Sequence, residues 1–114
     1  MGISRFDSSA RMSQAVTHGD TVYLAGQVAS GASVTDQTRG ILSQIEGLLE
    51  KTGSDKSKIL SATIWLCSMD DFAEMNEVWD AWVDTANPPA RAAVESARLA
   101  TPDYRVEIMV TAAR

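Results

Sequence analysis

The chain has one cysteine, one histidine, three prolines and no run of lysine or arginine in 114 residues. A lone Cys67 excludes an internal disulfide, and with only His18 beside it no Cys/His cluster exists to hold a metal. No metal and no organic cofactor are expected. No apolar stretch approaches the roughly 20 residues of a spanning helix. The polar start "MGISRFDSSARMS" has no signal-peptide core, so a soluble cytoplasmic protein is expected. A formal charge of -5 and a pI near 4.7, without a basic run, lack the electrostatic footprint that phosphate backbones and anionic membranes require. Neither nucleic acid nor membrane is expected as a partner. His18 lies in "THGDT", which reads as a hairpin turn, and is assigned to turn surface; Cys67 ends an apolar strand and reads as a small buried hydrophobe.

What is present is the pattern of one ordinary globular domain over residues 1–114, with 45% hydrophobic and 22% charged residues. After a short extended start at Ile3 to Phe6, "SQAVTHGDTVYLAGQVA" offers two strands around Gly19 and Asp20. From Thr35 to Thr52, Ile41, Leu42, Ile45, Leu48 and Leu49 recur at helical spacing, and Gly53 stands where a C-terminal cap belongs. "KILSATIWLC" alternates, with Leu60, Ala62, Ile64 and Leu66 on one face. Ser68 and Asp71 resemble a capping box that opens a helix bearing Phe72, Met75, Val78, Trp79 and Trp82, closed before "NPP". Two strands follow, Ala90 to Arg98 and Arg105 to Ala113, joined by "ATPD".

This order predicts an α/β (α+β) fold: one mixed sheet with two helices packed on one face. In the last strand Val106, Ile108, Val110 and Ala112 would meet the helices. The opposite face would then collect Met109, Ala113, Trp65 and Ala93 with Thr63, Thr111, Arg91 and Glu107. A sheet face this apolar marks a partner surface, and a homo-oligomer built through it is expected.

Arg91 and Glu107 sit on strands joined by a short connection, so antiparallel pairing would bring them into one site. They form either an ion pair that fixes subunit register or a working pair. In the second case Arg91 offers a guanidinium fork to a small carboxylate, while Glu107 exchanges protons with water or a leaving amine. Gly26, in "LAGQVA", is either a bulge or a place where a ligand or second backbone comes close.

Four pieces in order, "VYLAGQVA", "DDFAEMNEVWDAW", "PPARAAVESARL" and "VEIMVTAA", resemble the Rid (YjgF/YER057c/UK114) family of reactive-intermediate deaminases. The resemblance implies a chorismate-mutase-like fold assembled as a homotrimer with clefts between subunits. It also implies hydrolysis of amino-acid-derived enamines and imines, such as 2-aminoacrylate, to a 2-oxo acid and ammonia without a cofactor. By the same resemblance Arg91 binds the substrate carboxylate, Glu107 activates water, Gly26 and Ala93 line the cleft through their backbones, and Asn76 is structural. Met12 replaces a tyrosine of the cleft wall, Ala93 a cysteine, and Met109 a second acid. A non-catalytic trimer that binds small carboxylates in a regulatory role is the alternative. Chorismate mutase activity by analogy of fold is a weaker one, since fold does not carry function.

Overall fold

The computed structural model describes residues 1–114. Its strands are β1 (Ile3–Phe6), β2 (Ala15–His18), β3 (Thr21–Leu24), β4 (Ile59–Leu66), β5 (Ala90–Glu95) and β6 (Val106–Ala113), with helices α1 (Val34–Lys51) and α2 (Phe72–Trp82). The strands form one mixed sheet in the order β1-β2-β3-β6-β4-β5. β5 runs parallel to β4, and every other pairing is antiparallel.

The connections explain the layering. The chain passes from β3 through α1 to β4, leaving room for β6 between them, and then from β4 through α2 to β5. Both crossovers join parallel strands and step across the sheet in the same direction. With one handedness for such crossovers, both helices must lie on the same face.

Local chemistry sets the element ends. The β2–β3 hairpin turns on Gly19, whose φ of +60° is the left-handed value a two-residue loop with glycine first requires. Ser33 caps α1 by accepting the Asp36 N–H at 3.0 Å. At the other end Gly53, at φ +83°, lets the Ser54 N–H reach the Leu49 carbonyl at 2.8 Å and its own N–H reach Glu50 at 3.2 Å. The expected capping box does not close: Ser68 caps a short 3-10 turn at Met69–Asp71 by accepting from Asp70, while Asp71 pairs with Arg105 at 2.9 Å.

The apolar stripe read for α1 is the buried one, and Met75 and Trp79 carry the burial of α2. They pack on Ala62, Ile64 and Leu66 of β4 and on Val106, Ile108, Val110 and Ala112 of β6, all buried. Each large side chain removed from water in this way contributes about 1.5–3 kcal/mol. Leu60 is a correction. A register shift between Ile59 and Ser61 against β6 puts Ile59 inside and leaves Leu60 53% exposed. Cys67 is half-buried rather than buried, with its thiol 3.4 Å from the Tyr104 carbonyl. β5 stops at Glu95, short of Arg98, as the Ser96 hydroxyl turns to the Arg98 carbonyl.

Two polar clamps hold the helices to the loops. Buried Gln37 donates to the Gly31 and Asp103 carbonyls and accepts the Arg105 N–H at 2.9 Å, satisfying its whole amide. Glu74 of α2 accepts the Thr35 N–H at 2.7 Å and the Thr35 hydroxyl at 3.0 Å, supplying α1 with an anion at its N-terminus. The Thr35 N–H, then the Thr35 hydroxyl, hold the Glu74 carboxyl below its ordinary value. A carboxylate depressed in the folded state adds stability above its unfolded pKa and loses it as pH falls through the folded one. Glu74→Gln is therefore expected to lower the thermal midpoint at pH 7, with the gap to wild type closing as pH drops below about 4. Thermal melts of both proteins across that range check the sign.

Candidate active site

The pairing of β5 with β4 rather than β6 overturns the expected geometry of Arg91 and Glu107. Arg91 lies opposite Ala62 of β4, and Glu107 opposite Trp65 on the other side of that strand. Two strand spacings and three residues separate them, about 14 Å of sheet. They also point to opposite faces. Ala62 faces the helices, so Arg91 does too; Trp65 faces away, and Glu107 with it. Ala93, opposite Ile64, packs against the core on the helix side as well. Neither Arg91 nor Ala93 belongs to the bare sheet face.

That face nonetheless exists. The molecule is only 19 Å thick in its shortest dimension, which leaves room for the sheet and one helix layer. Tyr23, Val94 and Met109 stand exposed on the uncovered side, together with half-buried Trp65 and Glu107.

Arg91 is fixed from α2. Its Nη1 donates to Asn76 Oδ1 at 2.8 Å, and the guanidinium carbon lies 5.5 Å from the Trp79 ring centre and 5.9 Å from that of Phe72. Phe72, Asn76 and Trp79 stand at i, i+4 and i+7 and so share one helix stripe. Asn76 is structural in the sense that it orients Arg91. The two ring contacts were not anticipated, although the aromatic spacing on α2 carries the signal once β5 is placed beside β4. Arg91 uses one of its five N–H groups within the chain and remains exposed.

β5 is also the sheet edge. The Ser96 N–H donates to the Leu66 carbonyl at 2.8 Å, with Leu66 opposite Glu95. Alternation along a parallel ladder then turns the N–H and C=O of Arg91 and Ala93 outward, beside the guanidinium.

On the far face Glu107 and Gly26 come together, a contact the sequence reading did not include. Gln27 bridges Ile108 beyond the end of β3, with N–H to carbonyl distances of 2.8 and 3.1 Å in the two directions. This lays Gly26 under the Glu107 carboxylate, and a β-carbon at Gly26 would overlap Glu107 Oε2. The neighbour that comes close is the Glu107 side chain rather than a second backbone. Met12 lies in the loop between β1 and β2, 42% exposed, its backbone tied to Ser9.

A family model described as Endoribonuclease L-PSP matches residues 2–114. The chain belongs to this family, the YjgF/Rid proteins. It is 46% identical over 114 residues to the RutC family protein YoaB of Escherichia coli, covering 99% of each chain. Among solved structures it resembles a YjgF-family protein of Neisseria meningitidis at TM-score 0.97 and 46% identity, covering 100% of this chain and 96% of that one. A YjgF/YER057c/UK114 family member of Mycobacterium tuberculosis superposes at TM-score 0.90 with 27% identity, covering 99% and 100%. In this YjgF/Rid chain the sheet and two-helix layer present an exposed arginine at one edge and a half-buried glutamate on the opposite face.

Crowding of Gly26 by Glu107 makes a stability cycle informative. Gly26→Ala is expected to cost about 1 kcal/mol by forcing the carboxylate off its rotamer, and nearly nothing in a Glu107→Ala background. Urea unfolding of the four proteins measures that coupling.

Proposed function

We propose that this protein hydrolyses enamine and imine intermediates derived from amino acids, such as 2-aminoacrylate, to 2-oxo acids and ammonia. We further propose that it does so as a homotrimer whose clefts each combine the arginine edge of one subunit with the glutamate face of a neighbour. The observation that carries this reading is the held, outward guanidinium of Arg91 beside the free backbone groups of the β5 edge. A planar fork with four N–H groups to spare suits a carboxylate bound in two places.

The opposed faces of Arg91 and Glu107 support assembly. A substrate whose carboxylate sits on Arg91 has its imine carbon one bond away, far beyond reach of Glu107 in the same chain. A second copy laid with its bare face toward the first copy's β5 edge brings a Glu107 and a Gly26 to that carbon. Met12 is assigned to the wall of the same cleft.

The chemistry is then short. Arg91 binds the carboxylate of the imine tautomer and, with the Ala93 backbone, fixes the imine carbon in the cleft. Glu107 takes a proton from water as the water oxygen bonds to that carbon, and the nitrogen gains the proton. The remaining hydroxyl proton of the resulting carbinolamine is passed by way of Glu107 to the nitrogen as the C–N bond breaks, so that the oxygen becomes the carbonyl of the 2-oxo acid and the nitrogen leaves as ammonia. Imines hydrolyse in water unaided, so positioning supplies most of what is needed. RNA cleavage, named in the family model's description, is disfavoured here by the net charge of -5 and by His18 standing alone on the surface.

An amino acid oxidase that generates a short-lived imine, with a chemical trap for what remains, provides the assay. Wild type is expected to reduce trapped imine; Arg91→Ala should leave it at the level without protein, and Asn76→Ala should fall between, with KM raised more than kcat is lowered. Overlay of wild type with the blank for several side-chain classes would remove the deaminase reading and leave the carboxylate-binding one. Light scattering tests the trimer, and a monomer at micromolar concentration would remove the shared cleft.

A further inference from the structure

A second concavity lies along the helix layer, separated from the Arg91 edge by the Trp79 and Trp82 rings, whose centres are 5.5 Å apart. It is a groove of about 560 Å³ on the outer side of the helix layer, between α1 and α2. That volume suits a small molecule.

The two helices run in the same direction. Thr35 and Glu74 meet at their starts, and the Trp82 indole N–H donates to Glu46 near their ends. The groove lies between these two ties. Leu42 and Val78 form its floor, and small Ser43 and Ala81 leave it open to solvent. Its lower end is closed by Trp82, whose ring has the Lys56 ammonium 5.5 Å from its centre, while that ammonium donates to the Trp82 carbonyl at 2.7 Å.

Four charged groups line the groove, in two different states. Glu46 and Lys56 are engaged with Trp82. Arg39 and Glu77 are exposed and make no ion pair or hydrogen bond in the chain. Arg39 stands four residues beyond Thr35 and Glu77 three beyond Glu74, about 6 and 4.5 Å along their helices from the shared tie. They therefore oppose one another across the mouth at nearly one level, with an apolar floor below.

With Glu46 and Lys56 engaged, a lone carboxylate placed there would gain one free cation and face one free anion. A lone amine would meet the converse. A zwitterion satisfies both sides, because its carboxylate and ammonium are joined through one carbon and can span an arginine and a glutamate that do not touch. We infer that the α1–α2 groove binds a free α-amino acid with an aliphatic side chain, its carboxylate on Arg39, its ammonium on Glu77 and its side chain on Leu42, Val78 and Trp82.

The tryptophans report on neighbouring but distinguishable places, since the Trp82 ring centre lies 5.5 Å from that of Trp79 and the Arg91→Ala control separates the two. Trp82 lines the groove, Trp79 lies under Arg91, and Trp65 is the neighbour of Glu107. Titrating L-leucine into the nitrogen-15-labelled protein is expected to shift the Trp82 indole resonance saturably. N-acetyl-L-leucine and 3-methylbutylamine, each lacking one charge, should bind at least tenfold more weakly. Arg39→Ala and Glu77→Gln, both at exposed positions, should weaken L-leucine by a similar factor, whereas Arg91→Ala should leave the Trp82 curve unchanged. Absence of a saturable Trp82 shift would overturn the inference. So would a shift that survives both Arg39→Ala and Glu77→Gln, or one that disappears in Arg91→Ala, which would place the ligand in the deaminase cleft instead. Failure of the imine assay bears on Arg91 and Glu107 and leaves the Trp82 result standing.

Discussion

The site depends on α2 lying across β4 and β5. That placement follows from a strand, a helix and a parallel strand joined by short connections, and it puts the helix stripe Phe72, Asn76, Trp79 over the outermost strand. An arginine at the second position of β5 then has a hydrogen-bond acceptor on one side and two ring faces beneath it. Without α2 the guanidinium would be a long, freely rotating surface charge. With it, the side-chain entropy that a ligand would otherwise have to remove is already spent in folding.

Alternation within the sheet supplies the second constraint. Because β4 separates β5 from β6, Ala62 and Trp65 hand Arg91 and Glu107 to opposite faces. The same alternation gives β6 a fully buried row from Val106 to Ala112 and an open row from Glu107 to Ala113. The glutamate thus comes from a strand whose other face lies in the core and whose two edges are both paired. Gly26 leaves room for the Glu107 carboxylate, which a β-carbon there would push aside.

The elements were legible in the sequence, because period and capping are local. The α1 stripe, the glycine turn at Gly19, the cap at Gly53 and the buried row of β6 all lie where their spacing puts them. Strand order was not legible in the same way. Reading β5 and β6 as neighbours followed chain adjacency, but β6 pairs better between β3 and β4, where both its edges are hydrogen-bonded and its apolar row is buried in the core. The cue that was available is the βαβ unit: a strand, the helix Phe72–Trp82 and a strand joined this briefly pair in parallel. The register shift that swaps Ile59 for Leu60 left no trace in composition, because both are equally apolar. Arg91, Glu107, Gly26 and Asn76 were singled out as residues, while the face each occupies required the strand order.

A free edge like that of β5 normally invites indiscriminate pairing. Here the strand is six residues long, follows Pro88 and Pro89, and carries charges at Arg91 and Glu95. The Glu95 side chain also accepts the Met69 N–H at 3.0 Å, which ties the strand's end back to the 3-10 turn that precedes α2. These features discourage an extended strand from adding along the edge while leaving its middle, at Arg91 and Ala93, open to something small. The edge therefore favours a compact ligand with a planar anion over another β-strand. In the homotrimer proposed above, a neighbouring subunit would close over that ligand with side chains from its sheet face rather than continue the sheet. The proposed cleft would then belong to the assembled pair of surfaces, while the α1–α2 groove, bounded wholly by one chain, does not depend on assembly.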